Sequence, residues 1–223
     1  MPRNAERGGP RTRAKIADVA ARLFLERGYD AVTVAEIARE AGVSSVTVFN
    51  HFPRKEDLFL DRAVDADGYL RSAVRDRPTG VDVLTSLHAT AIRLFDDRHP
   101  LSGVNDRSVP FFRTVAASPA LIARARGIAA DLQRTLVDEL ERDAIFAGDA
   151  RLLAALFIAG YGSVLVETAS RLIDDEDPST VTDGARERFE RLFDALRNGL
   201  GDGAGGAVAG GGPASVSPAS VRL

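Results

Sequence analysis

Residues 33–52 read TVAEIAREAGVSSVTVFNHF, and this stretch decides the fold. Thr33 followed by Glu36 is a capping box: the hydroxyl accepts the backbone N–H of the third helical residue, and the glutamate returns to the threonine N–H. The helix so opened turns Ile37, Ala38 and Ala41 to one side. Gly42 lets the backbone reverse, Val43 fills the angle behind it, and Ser44 starts a second short helix. Pro53 ends that helix, because the residue before a proline is pushed out of the α region. Two short helices about a tight glycine turn are what a reader of the DNA major groove requires. The first braces across the backbone and the second lies in the groove.

The second helix is expected to turn Ser45, Val46, Thr47, Asn50 and His51 outward. Serine and threonine bond phosphates or bases, and Val46 can meet a thymine methyl. Phe49 is expected to face the groove or the DNA backbone, and Phe52 to enter a small three-helix core. Lys55, at the start of a fourth helix, offers a charge for a phosphate. With Thr33 and Ser44 at the two helix starts, the expected DNA-facing set is Thr33, Ser44, Ser45, Val46, Thr47, Phe49, Asn50, His51 and Lys55.

Around this pair the chain reads as helix after helix, an all-α protein. A first helix over residues 12–27 carries Ile16, Val19, Ala20, Leu23 and Phe24 on one face and stops at Gly28. The fourth helix runs from Lys55 through Leu58, Phe59, Ala63 and Val64 to a break at 75–80. A helix with Val83, Leu87, Ala91, Leu94 and Phe95 follows, then an irregular stretch at 98–110 and a short helix holding Phe111 and Phe112. Ser118-Pro119 is a strong start, serine capping and proline in the first helical position. Gly148-Asp149 divides two long helices, and the acidic run to Pro178 reads as a connector before a last helix at about 182–199. The organisation is a disordered basic arm (1–9), a DNA-binding domain (10–70), a helical effector-binding and dimerisation domain (80–200) and a disordered tail (201–223).

Composition narrows the function classes. The chain has 223 residues, 45% of them hydrophobic, and no cysteine, so disulfides, thiolate catalysis and cysteine-based zinc sites are excluded. The net charge of −3 is unevenly spread. Arg3, Arg7, Arg11, Arg13 and Lys15 stand against the single acid Glu6 at the N-terminus, while the acidic excess lies further on. That distribution suits a protein touching phosphates at one end. No apolar run approaches the roughly 18–20 residues of a membrane helix, and MPRNAERGGPRTR lacks the apolar stretch of a secretory signal. No membrane partner and a cytoplasmic location are expected. His51, His88 and His99 have no metal-ligand spacing, no glycine loop follows a strand, and no nucleophile is identifiable. No catalytic, metal or cofactor residues are assigned, and the protein is not read as an enzyme.

The stretch RGYDAVTVAEIAREAGVSSVTVFNHFPRKEDLF carries Gly28-Tyr29, Thr33, Ile37-Ala38, Ala41-Gly42-Val43-Ser44, Thr47, His51-Phe52, Lys55-Glu56 and Leu58 in order. Residues 12–70 thereby resemble the DNA-binding domain of the TetR family of bacterial regulators. The resemblance implies a homodimer on a palindromic double-stranded operator, most commonly a repressor released by a small-molecule effector. The family often has tyrosine where Phe49 stands and a small residue where Val46 stands. Dimerisation through the last two long helices is implied, and Leu152, Leu156, Ala159, Gly160, Ser163, Val164 and Glu167 mark a face where a partner helix could approach. The second domain more weakly resembles actinobacterial regulators with acyl-CoA-like ligands. For a hydrophobic or acyl-CoA-like effector the candidates are His88, Asn105, Phe111, Phe112, Arg113, Gln133, Phe157 and Tyr161. The competing reading is a dimeric ligand-binding adaptor that has lost specific DNA binding.

Overall fold

The computed structural model describes residues 9–199, so the tail and all of the arm but Gly9 lie outside the described residues. Among them the protein is all helical: α1 (Gly9–Arg27), α2 (Val34–Ala41), α3 (Ser45–His51), a 3-10 turn (Glu56–Leu58), α4 (Ala63–Arg75) and α5 (Val83–Asp96). A second 3-10 turn (Pro100–Ser102), α6 (Ser108–Ala116), α7 (Pro119–Arg142), α8 (Ala150–Ile173) and α9 (Pro178–Asn198) complete it. Most starts are fixed by side-chain caps. Asp82, Ser118, Asp149 and Asp177 each accept the N–H of the residue three positions on.

The head of the molecule is α1–α3 closed on one core. Ile16, Ala20 and Phe24 of α1 meet Ile37 and Ala41 of α2 and Val48 and Phe52 at α3, with Leu58 and Phe59 beneath. This core is finished by residues far away in sequence. Leu121 of α7 is wholly buried in it, and Phe59 stacks on Phe111 of α6 with centroids 5.0 Å apart. The body is a second core in which α4, α5, α7, α8 and α9 converge on Leu87, Leu136, Phe157 and Phe193. Helix α4 contributes Leu70, Ala73 and Val74 to the body, so it straddles the boundary expected at 70–80.

Several local expectations are corrected. Helix α1 begins three residues earlier, and α9 begins at Pro178, where Asp177 and Pro178 repeat the cap-proline signal seen at Ser118-Pro119. The expected fourth helix is two pieces. Asp57 is held by Arg124 Nε of α7 at 2.7 Å while Leu58 and Phe59 enter the head core, so the chain tightens into a 3-10 turn and resumes only at Ala63. The new phase leaves Val64, expected inward, 66% exposed. Helix α8 is also long and apolar enough to cross a membrane, contrary to the reading of its sequence. Only Arg151, Glu167 and Arg171 are charged among its residues, but interspersed glycine, alanine and serine disguise the run.

Helices α4 and α7 are also tied by charge. Glu139 on α7, its side chain 1% exposed, accepts from Arg71 Nη1 at 2.7 Å and Arg75 Nη2 at 2.6 Å, both on α4. Asp67 on α4 accepts from Arg71 and from the Thr135 hydroxyl at 2.7 Å. The Arg75 guanidinium, foremost, holds the Glu139 carboxyl below its ordinary range. A buried carboxylate is tolerable only while so paired. Replacing both Arg71 and Arg75 with alanine leaves Glu139 only Arg142, at 3.7 Å, and is therefore expected to lower the midpoint of urea unfolding. No change would contradict the assignment.

At α2 the capping box is complete: Glu36 N donates to Thr33 Oγ1 at 3.2 Å and Thr33 N donates to Glu36 Oε2 at 2.8 Å. The Thr33 N–H, then Arg27 and the Thr33 hydroxyl, bring the Glu36 pKa from 4.5 down to about 2. Because the folded value is the lower one, this contribution is present above pH 4.5 and lost as pH falls towards 2. Glu36→Gln should flatten the dependence of Tm on pH across that window. An unchanged slope would remove Glu36 from the account.

Candidate nucleic-acid interface

Helix α3 has seven residues, too few to persist alone, so packing and capping hold it. Ser44 Oγ accepts the Thr47 N–H at 3.0 Å and lies 2.9 Å from Thr47 Oγ1, which ties the first turn. Val48 and Phe52 are buried on the inner side. Gly42 takes a left-handed conformation with φ +69, which an L side chain resists, and its N–H and that of Val43 close the end of α2. Once Val48 and Phe52 face inward, the helical period sends Val46, Phe49 and Asn50 outward, and all three are exposed. Ser45, Thr47 and His51 are half-buried at the flanks of that strip.

The basic end of α1 lies against this pair. The Arg13 guanidinium sits 4.4 Å over the Phe52 ring, and Lys15 Nζ is 3.7 Å from where a side chain at Gly42 would begin. Arg11 on α1, Arg39 on α2 and Arg54 just beyond α3 are also exposed cations of the head. Composition had noted the N-terminal cations, but only the packing of α1 places them beside the turn. Arg39 and Arg54 were missed, since a lone exposed arginine carries no local signal.

Two expected contacts are engaged within the protein. Lys55 Nζ donates to the Tyr29 carbonyl at 2.7 Å and lies 4.1 Å over the Tyr29 ring, and burial lowers its pKa. It holds the loop after α1 to the 3-10 turn. The Thr33 hydroxyl is engaged with Glu36 at 2.9 Å and serves the cap.

The expected effector residues do not converge. Phe111 belongs to the head core, and Phe112 packs edge-on to it. Arg113 is exposed and paired with Asp175 at 2.7 Å. The Asn105 carboxamide accepts the Arg107 N–H, and Gln133 lines an open polar groove of about 560 Å³ on α7 and α8. His88, Phe157 and Tyr161 do share one region. His88 packs 4.7 Å from Phe193, Phe193 meets Phe157, and Phe157 meets Tyr161, whose hydroxyl donates to the Leu101 carbonyl at 3.0 Å. These rings fill the junction of α5, α8 and α9 as packing.

The expected dimer face divides similarly. Leu152, Leu156, Ala159 and Ser163 form an exposed stripe on α8, extended by Val166, which is 72% exposed and was not foreseen. Gly160 faces α9 instead, where a side chain would collide with Leu192. Val164 is buried, and Glu167 pairs with Arg188 at 3.1 Å.

Residues 16–61 match the family model of bacterial regulatory proteins, tetR family. The HTH-type transcriptional repressor KstR2 of Rhodococcus jostii is 35% identical over 94 residues, 39% of this chain and 45% of that one. The HTH-type transcriptional activator FasR of Mycolicibacterium smegmatis is 28% identical over 185 residues, 80% of this chain and 77% of that one. The structure of Thermus thermophilus FadR, a TetR-family transcriptional repressor in complex with lauroyl-CoA, is 25% identical with a TM-score of 0.52, and the match covers 90% of this chain and all of that one. The chain spans about a quarter to a half of the length of the first curated relatives it matches. Residues 16–61 therefore carry a helix-turn-helix domain of the tetR type, and the chain as a whole shares the fold of the FadR structure.

Proposed function

We propose that the protein is a homodimeric transcriptional repressor that binds a palindromic operator through α3. The observation that carries this reading is the strip Val46, Phe49 and Asn50, turned to solvent by a buried Val48 and Phe52, with Arg13 and Lys15 of α1 packed beside Phe52 and the Gly42 turn. A helix so presented fits the width of the major groove, and these cations meet phosphates. Thr47 and Ser45 flank the strip and complete the reading face, while Lys55 and Thr33 act from behind it as structure.

The dimer is formed by the exposed α8 stripe of Leu152, Leu156, Ala159, Ser163 and Val166. Two copies related by a twofold axis bury this stripe against each other and set two α3 helices about one DNA turn apart, roughly 34–36 Å. The effector is a small hydrophobic or acyl-CoA-like molecule, a reading supported by likeness to the lauroyl-CoA complex of FadR. It releases DNA by preferring a body conformation in which the α3 spacing is wrong.

On a duplex selected from a random pool, Asn50→Ala is expected to weaken binding at least tenfold in a gel shift at fixed salt. Thr47→Ala should weaken it less, because its hydroxyl is shared with Ser44. Unchanged affinity for both variants would remove α3 as the reading element. Val166→Glu, on the exposed stripe, should turn the dimer into a monomer in sedimentation velocity while the helical circular dichroism persists. A dimer unaffected by it would move the interface elsewhere.

A further inference from the structure

The seven residues of α3, SVTVFNH, hold neither lysine nor arginine. The commonest specific contact to a base, a bidentate Arg or Lys on guanine O6 and N7, is therefore not available from this helix. Its outward strip is instead two apolar side chains and one carboxamide: Val46 at 69% exposure, Phe49 at 48%, and Asn50 beside them. Ser45 and Thr47 discriminate little, since a hydroxyl bonds either kind of base. The cations Arg13 and Lys15 are on α1, Arg39 is on α2 and Arg54 lies beyond the end of α3, so their charge is left for phosphates.

An apolar side chain has one specific complement in the major groove, the C5 methyl of thymine, and a carboxamide pairs best with adenine N6 and N7. Val46 and Asn50 are one turn apart, about 6 Å along the helix axis. Base pairs are stacked about 3.4 Å apart, so this spacing is just under two stacking intervals and the two side chains reach base pairs one to two apart. Leaving Val46 and Phe49 in water is unfavourable, and covering them with methyl groups relieves that cost.

We propose, on the footing of the DNA-binding reading above, that α3 selects a short A·T run in each half-site. Val46 seats on a thymine methyl, Phe49 covers the outer edge of that contact, and Asn50 pairs with an adenine one or two base pairs away. Specificity for this run is set by hydrocarbon contact and one carboxamide, with charge supplying sequence-independent affinity.

The test replaces thymine by uracil, which keeps base pairing and removes only the methyl. An operator is first selected from random duplexes, then each thymine is exchanged singly and binding is measured at fixed salt. One thymine per half-site is expected to lose about fourfold on exchange, the factor for one buried methyl group. In Val46→Ala that thymine-to-uracil ratio should fall to about one. In Asn50→Ala the ratio should persist while adenine discrimination at the nearby pair is lost. Val46 is on the surface, so unchanged circular dichroism and Tm separate a lost contact from a lost fold. A specific operator insensitive to uracil at every thymine would overturn this proposal alone, as would an undiminished ratio in Val46→Ala. Failure to select any duplex, with binding that only falls with salt, would overturn the DNA-binding reading as well.

Discussion

A seven-residue helix has no stability of its own in water, and the head of this protein is built to hold one. Burial of Val48 and Phe52 fixes which way α3 faces, the Ser44 cap fixes where it begins, and left-handed Gly42 fixes its angle to α2. These three constraints leave no freedom over which side chains meet solvent. The exposed strip is the remainder after the core has taken what it needs.

The same dependence runs outward. The head core closes only when α6 and α7 supply Phe111 and Leu121, and the turn below α3 is pinned where Asp57 meets Arg124. Helix α7 belongs to both halves: its first turn seals the head, and its later turns carry Leu136, Glu139 and Leu140 into the body. Glu139 then binds α4, the element that leads from the head into the body. A shift of α7 along its axis would be felt at Leu121 and at Arg71 together. Leu121 and Glu139 thus tie α7 to the head core and to α4 at once.

Local chemistry was legible in the sequence where the signal and its cause lie within a few residues. The Thr33–Glu36 box, the turn at Gly42, the cap at Ser44 and the inward Phe52 are all of this kind. The all-helical architecture followed from the same periodicities. What the sequence hid depends on distant partners. The interruption before α4 answers to Arg124, 67 residues from Asp57, and the burial of Glu139 answers to arginines 64 and 68 residues upstream. Phe111 and Phe112 looked like pocket aromatics because their partner Phe59 could not be inferred. Gly160 looked like an approach point for a second chain and is an approach point for Leu192 of its own chain. Lys55 looked like a phosphate ligand because nothing local reveals the Tyr29 carbonyl beneath it.

The central claim is that two copies of the α3 strip face DNA on one side, in register with its helical repeat. Hydroxyl-radical footprinting of the full-length protein on its selected duplex addresses this directly. The account predicts two symmetric protected stretches on one face of the duplex, centred about one turn or a whole number of turns apart. A single asymmetric patch, or uniform protection along the duplex, would contradict it.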